Sequence, residues 1–163
     1  MRTVQLIVCA FLLGVFSLIG GQIAFAGGSP PTEISWSFDL AADYFAPGVC
    51  PFPIRVSLSG RAGTINLPGN RVIITAPGQH GVVTNLDDPS KTVTLNIPGV
   101  FHQTTEQNGD VVTVVTGRNM MGDPEAGFVL AIGTFSYIFD KDGKLIQPLT
   151  GKGQLIDICA MID

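Results

Sequence analysis

The chain is poor in charge, and its charges are not grouped. Only 13% of its 163 residues are charged, with 9 basic side chains against 13 acidic ones. The lysines and arginines are scattered along the sequence, so no basic patch is available to attract phosphate groups or an anionic membrane surface. We therefore expect no nucleic-acid partner, and contact with a membrane only through the amino-terminal segment if that segment is not cleaved.

Residues that could carry catalysis or hold a metal are few and stand far apart. The two histidines, His80 and His102, have neither the HExxH nor the HxH spacing that metal sites use. No serine lies in a GxSxG setting. The DKDG segment at 140–143 begins like a calcium loop but lacks the remaining ligands, and it indicates a tight turn. The sequence predicts no catalytic residue, metal or cofactor, and it favours a protein that is not an enzyme.

The first 26 residues have the composition of a signal peptide. Arg2 supplies a positive charge, an apolar run extends from Leu6 to Ile19, and Ala24-Phe25-Ala26 fits the small-x-small pattern that precedes cleavage. We predict cleavage after Ala26 and a secreted or cell-envelope protein; the alternative is an uncleaved membrane anchor. Cleavage would remove Arg2 and change the net charge from −4 to −5, since 8 basic side chains then stand against 13 acidic ones.

Cleavage would leave Cys50 and Cys159 as the only cysteines. Two thiols in an exported protein most simply form one disulfide. The bridge would close a loop of about 110 residues, for which the chain-entropy model gives about 4 to 5 kcal/mol. A redox pair or a metal pair is the competing interpretation, but there is no CxxC motif and no histidine near either cysteine in the sequence.

Turn residues and β-branched residues dominate the remainder of the chain. Short alternating segments are separated by Pro-Gly pairs and by Asn108-Gly109, and no segment after residue 40 has a helical period. This pattern predicts an all-β fold, a single antiparallel β-barrel or barrel-like sandwich of about nine to eleven strands. Residues 27–53 are interpreted as an extended segment with one strand and a long loop. Residues 54–163 are interpreted as the β domain, forming one structural domain with 33–53.

Two of the predicted strands are apolar on both faces, 111–116 and 127–139. In the second, Phe128, Leu130 and Ile132 share one face. The other face carries Val129, Ala131, Gly133, Phe135, Tyr137 and Phe139. A strand with one wet face would alternate, so both faces must be covered, by a second layer, the amino-terminal segment, a partner subunit or an apolar ligand. Turns are expected at 60–63 and 140–144, the second followed by two return strands.

The segment 117–124, predicted to be a loop, is the leading candidate binding site. Its guanidinium, amide and thioether groups suit an amphipathic ligand. Alternatively, Arg118 pairs with Asp123 or Glu125 and the methionines cap the core. We predict a small apolar or amphipathic ligand, contacted by Arg118, Asn119, Met120 and Met121 of this segment and by Ala131, Gly133, Phe135 and Tyr137 of the next strand. The alternative function is a structural or protein-interaction role at the cell envelope, with a homodimer or another envelope protein covering the apolar face.

The order of these features is similar to that of a group of small secreted bacterial all-β proteins. The shared features are the signal peptide, the CPFP segment at 50–53, the Pro-Gly turns, TGRN at 116–119 and the late cysteine in ICA at 158–160. The resemblance covers most of the mature chain. It implies export and an all-β fold, and it brings no activity, so no catalytic residues carry over.

Overall fold

A computed structural model describes residues 27–42 and 50–163. Over these residues the protein forms ten β-strands and one 3₁₀ turn, Cys159–Met161, which confirms the all-β prediction. The strands are β1 (Gly27–Gly28), β2 (Thr32–Leu40), β3 (Ile54–Leu67), β4 (Arg71–Thr75), β5 (His80–Asn85), β6 (Thr92–Asn96), β7 (Val100–Thr105), β8 (Val111–Asp123), β9 (Gly127–Phe139) and β10 (Leu145–Asp157). The predicted signal peptide and residues 43–49 of the predicted long loop lie outside the described residues. No helix in the described ranges has the length and apolar character needed to cross a bilayer.

The strands form one antiparallel sheet that does not close. Its order is β10-β9-β8-β7-β4-β3-β5-β6, and β1 and β2 also pair with β3. Among the described strands, β10 pairs only with β9 and β6 pairs only with β5. Closure into a barrel is therefore not confirmed, and the sheet instead curls so that its parts pack on each other.

Strand β3 joins the two parts of the sheet. Its first half pairs with β5 and its second half with β4. Between the halves, Gly60 has a φ of +122°, and a Cβ there would lie 2.6 Å from the carbonyl oxygen of Gly78. The turn predicted at 60–63 is wrong, because a glycine at this position lets the strand bend and continue while another part of the chain approaches closely.

The main core lies between the β2–β3–β5–β6 part of the sheet and one face of β9. Ile54, Val56 and Val83 from the first part are at most 1% exposed, and Phe128 and Leu130 of β9 pack in the same cluster. Fully burying a side chain of this size contributes about 1.5–3 kcal/mol. The face of β9 predicted for Phe128, Leu130 and Ile132 is thus confirmed as one that faces a core.

The carboxyl-terminal residues close one end of this core. Cys50 and Cys159 form the predicted disulfide and are 2% and 7% exposed. Beyond the bridge, the buried Ile162 accepts a hydrogen bond through its carbonyl oxygen from Asn85 Nδ2, at 3.0 Å. The bridge and this hydrogen bond hold the end of the chain against the segment that enters β3 and the end of β5.

Two predictions about the last three strands are wrong. Strand β8 does not end at residue 116, since 117–123 continue to pair residue by residue with β9, from Gly117 opposite Gly133 to Asp123 opposite Gly127. The expected loop at 117–124 is therefore mostly strand. Likewise, β10 is one strand instead of two, because two register shifts before Thr150 act as bulges and accommodate a proline that cannot donate to the ladder.

Candidate functional site

Three glycines form a row across β8, β9 and β10. Gly133 is opposite Gly117 on one side and Gly153 on the other, and their φ angles are +140°, +87° and +150°. A Cβ on Gly133 would overlap the carbonyl oxygen of Lys152. Only glycine tolerates these positive φ angles and this close approach of the neighbouring backbone, so the row is a place where the sheet can bend sharply.

The tip of the β8–β9 hairpin returns onto β10. Asp123 lies at this tip opposite Gly127, whereas Leu149 lies in the bulge of β10 beside Tyr137. Gly127 and Tyr137 would be about 33 Å apart in a straight strand. Nevertheless, Asp123 Oδ2 accepts a hydrogen bond from the backbone N–H of Leu149 at 2.8 Å. The strands therefore curl between these points.

The inner surface of this bend is here named the curled face. It carries Phe101 of β7, Thr113, Val115 and Met121 of β8, Ala131, Phe135 and Tyr137 of β9, and Leu149 of β10. Strand pairing explains why these side chains share a face, since Phe101, Val115 and Phe135 are directly opposite one another on neighbouring strands. The predicted sharing of one face by the odd-numbered residues of β9 is confirmed.

A second apolar cluster occupies the curled face. Val115, Ala131 and Phe135 are 0%, 1% and 5% exposed. Four partly exposed side chains pack against these three: Phe101, Met121, Tyr137 and Leu149. Ala131 therefore lies against side chains, and Gly133 lies against the backbone of β10. The apolar surface left for a ligand is the half-exposed rim of this cluster.

Thr113 places a polar group in this apolar surrounding. It is 0% exposed, and it lies opposite Gln103 on β7 and opposite Tyr137 on β9. Among residues 27–42 and 50–163, its Oγ1 has no hydrogen-bond partner. Leaving a buried hydroxyl without a partner costs about 1–3 kcal/mol. The curled face thus contains one buried polar group whose hydrogen bonding is incomplete.

A cleft of about 520 Å³ opens at the β3–β4 end of the same side of the sheet. It is open to solvent and surrounds the β3–β4 turn, and its lining includes the charged residue Arg71 as well as Asn66, Val72 and Thr105. Val72 is opposite Gln103, which is opposite Thr113, so the cleft and the buried hydroxyl belong to one row of side chains.

The structure brings together four of the eight predicted ligand contacts. Met121, Ala131, Phe135 and Tyr137 lie on the curled face. Tyr137 also stacks edge-on against a neighbouring aromatic ring, Phe139, with centroids 5.5 Å apart. These four residues remain candidate ligand contacts.

The other four predicted contacts are not part of the second apolar cluster, and each makes a structural contact elsewhere. Arg118 donates from Nε to the carbonyl oxygen of Asn96 at 2.8 Å, and Asn119 is 3% exposed and donates to the carbonyl oxygen of Thr116 at 3.0 Å. Met120 packs against the main core. Gly133 belongs to the glycine row.

The pairing of Arg118 with Asp123 or Glu125 is not observed among the described residues. The Asp123 carboxylate accepts hydrogen bonds from the backbone N–H groups of Glu125, Ala126 and Leu149 instead. Asp123 is 6% exposed, so these bonds satisfy a buried charge at the tip of the hairpin.

Four residues of the curled face were not predicted as contacts: Phe101, Thr113, Val115 and Leu149. Phe101 and Thr113 have a signal in the sequence. Period-two alternation places Thr113 on the face of Val115, and the register of the β7–β8 hairpin brings Phe101 opposite Val115. Leu149 has no such signal, because its place depends on a bulge that shifts the register of β10.

The remaining titratable residues do not form a site. His80 and His102 are exposed, and Asp140 Oδ1 accepts hydrogen bonds from the backbone N–H groups of Asp142 and Lys144, as a tight turn requires. Within 27–42 and 50–163, no group of three or more His, Cys, Asp or Glu residues is placed to hold a metal ion.

Comparisons with known proteins assign no family to the chain. No family model, no curated protein and no solved structure matches it. The buried disulfide is compatible with an extracytoplasmic location. The proposals below therefore depend on the geometry of the curled face and of the sheet edges.

Proposed function

We propose that the protein is an exported, non-catalytic domain that binds a small apolar or amphipathic molecule on the curled face. The observation that carries this proposal is the second apolar cluster, whose centre is buried and whose rim of Phe101, Met121, Tyr137 and Leu149 is half-exposed. Apolar rims beside a concave surface are typical of small-molecule sites. Each 100 Å² of apolar surface that a ligand covers contributes about 2.5 kcal/mol.

The chemistry of the curled face favours binding over reaction. The side chains of its second cluster are apolar apart from the Tyr137 hydroxyl, and the polar groups nearest to it are those of Gln103, Thr113 and Asn119 and the Asp123 carboxylate, which accepts hydrogen bonds from three backbone N–H groups. An amphipathic ligand can place its apolar part on the rim and extend towards the cleft lined by Asn66 and Val72, which supplies polar groups at one end. Such a molecule would cover the aromatic rim and still be solvated at its polar end.

The test is native mass spectrometry of protein purified, without detergent, from the host that makes it. We expect a retained mass that organic extraction removes. The variant Phe101→Gln should lose this mass, because it places an amide on the half-exposed rim. Ile138→Gln is the matched control, since Ile138 is also half-exposed but lies on the opposite face of β9.

Two results would overturn the proposal. One is a wild-type protein that carries no extra mass and shows no saturable binding of apolar probes. The other is a retained molecule that survives Phe101→Gln as well as it survives Ile138→Gln, since that molecule would be bound elsewhere.

The free edge of β10 favours a second candidate, a protein-interaction role at the cell envelope. After the bulges, residues 150–157 are all exposed and pair on one side only. Leu155 and Ile156 are 42% and 37% exposed, and Lys152 is the only charge before Asp157. The bulges and the proline of β10, which protect an edge from pairing, lie before this stretch, and within it only Lys152 does so. The occupant would be β10 of a second copy, added antiparallel about a two-fold axis.

The same mass spectra test this candidate. A stable dimer that Ile156→Lys dissociates would support it, because a charge on the edge opposes strand addition. Met161→Lys is the control, since Met161 is 48% exposed but lies outside β10. A monomer at all concentrations would exclude self-pairing through this edge.

A further inference from the structure

The buried hydroxyl of Thr113 indicates which chemical group a ligand on the curled face would carry. We infer that the curled face takes a neutral, mostly apolar molecule with one hydroxyl or carbonyl oxygen, and that this oxygen forms a hydrogen bond with Thr113 Oγ1. The inference builds on the proposed function, since it assumes that a molecule binds on this face. It adds a polar anchor and excludes a charged headgroup at that anchor.

The position of Thr113 supports this role. It lies in a row that runs from Val72 through Gln103 and Thr113 to Tyr137, in which it is the only fully buried member, and the cleft begins at Val72. Gln103 and Tyr137, its direct neighbours across the strands, are both half-exposed. A change of rotamer in Gln103 can therefore uncover the hydroxyl without moving the backbone.

The hydroxyl itself determines what can pair with it. A threonine hydroxyl donates one hydrogen bond and accepts others, so a ligand hydroxyl or carbonyl can satisfy it. Binding would then remove the penalty of a buried group that has no partner. A ligand that is purely apolar would leave the penalty in place and bind more weakly.

The surroundings exclude a charged anchor. The residues directly opposite Thr113, Gln103 and Tyr137, are uncharged, and the buried Asp123 carboxylate at the tip of the hairpin already accepts hydrogen bonds from three backbone N–H groups. An ionised group placed beside Thr113 would lose its hydration and would not pair directly with a free countercharge there. The aromatic walls of Phe101, Phe135 and Tyr137 also favour a ring system over a flexible chain, since rings stack with little loss of rotamer freedom.

The test uses two probes that differ by one oxygen atom, 1-naphthol and naphthalene. Each is titrated into the full mature protein, and binding is followed by chemical-shift changes in the backbone amides of β7, β8 and β9. We expect 1-naphthol to bind about tenfold more tightly to the wild-type protein, as one hydrogen bond to a buried group allows. The preference should fall to about onefold in Thr113→Val and persist in Thr113→Ser, which keeps the hydroxyl.

Stability measurements separate this outcome from misfolding. Valine has the shape of threonine without the hydroxyl, so removing an unpaired buried group should leave the Tm of Thr113→Val equal to that of the wild type or higher, by up to about 4 °C. A purely structural role for the hydroxyl would lower the Tm and leave the preference between the two probes unchanged.

The other possible results of the titrations distinguish a wrong inference about Thr113 from a wrong proposed function. If both probes bind equally to the wild type, or if Thr113→Val keeps the preference for 1-naphthol, the inference about Thr113 is wrong while the proposed function stands. If neither probe binds to the curled face, both the inference and the proposed function fail.

Discussion

The carboxylate of Asp123 holds the backbone N–H of Leu149 at 2.8 Å, although the two residues belong to distant parts of the three-stranded unit formed by β8, β9 and β10. The other oxygen of the same carboxylate caps the hairpin turn by accepting hydrogen bonds from Glu125 and Ala126. One buried side chain therefore both shapes the tip of the hairpin and fixes it onto β10. The curl that forms the candidate site depends on this contact.

Replacing Asp123 by alanine should lower the free energy of unfolding by about 1–3 kcal/mol, because the half-buried N–H of Leu149 loses its acceptor. Asp140→Ala is the control, since Asp140 caps an exposed turn without reaching another strand, and it should cost less. Urea unfolding followed by tryptophan fluorescence measures both. Equal losses in the two variants would show that the contact with Leu149 contributes nothing beyond the turn.

Alanine at Gly133 should be far more disruptive than alanine at Gly143. Both glycines have positive φ angles, +140° and +77°, but a Cβ at Gly133 overlaps the backbone of β10, whereas a Cβ at Gly143 meets nothing within 4 Å. We expect a loss of about 2–4 kcal/mol for Gly133→Ala and about 1 kcal/mol for Gly143→Ala. Thermal unfolding by circular dichroism gives the comparison. Similar Tm values for the two variants would exclude the close approach of β9 and β10 as the reason for Gly133.

The disulfide should contribute more to stability than any single contact. The double variant Cys50→Ala/Cys159→Ala should lose about 2–5 kcal/mol, because the unfolded chain regains the entropy of a long loop. The native bridge should also resist mild reductants while the protein is folded, since both cysteines are buried. Alkylation with mass detection tests this second point. Rapid labelling of both thiols under native conditions would mean that the bridge is accessible without unfolding.

The ion pair between Asp39 and Arg55 should make a small, pH-dependent contribution. The guanidinium donates two hydrogen bonds to the carboxylate, at 2.7 and 2.8 Å, and these bonds lower the pKa of Asp39 below its ordinary value of 3.8. Because the folded-state pKa is the lower one, the stabilisation is present above about pH 4 and disappears as the pH falls through the folded-state value.

The pair is half-exposed, so salt should weaken it further. Asp39→Asn should therefore lower the Tm slightly at neutral pH and leave it unchanged at low pH or in high salt. Glu33→Gln is the control, since Glu33 approaches Arg61 only to 3.8 Å. A Tm difference that does not vary with pH would rule out the ion pair as its cause.

Much of the local structure could be predicted because it depends on neighbours in the sequence. Period-two alternation identified which residues of β9 share a face, and the Asn108-Gly109 turn placed the hairpin between β7 and β8 correctly. The disulfide between Cys50 and Cys159 followed from the two cysteines that remain once the predicted signal peptide, with Cys9, is set aside. These features require only the chirality of the chain, side-chain periodicity and turn chemistry.

The errors come from glycines whose role is set by distant parts of the chain. Gly60 and Gly117 were interpreted as turn residues, yet both continue a strand, because Gly78 and the Pro98-Gly99 segment approach them from elsewhere. A glycine in a sequence shows that an unusual backbone angle is allowed, but it does not show whether the chain turns or another strand comes close.

The sequence by itself determined an all-β chain, a pairing of cysteines and two strands that must be covered on both faces. Only the tertiary structure decided how the second face is covered, by folding three strands back along a row of glycines until Asp123 reaches Leu149. It also buried the hydroxyl of Thr113 completely, without a hydrogen-bond partner among the described residues. The physical reason is that burial and hydrogen bonding are sums over contacts between residues far apart in the chain, and local patterns do not contain them.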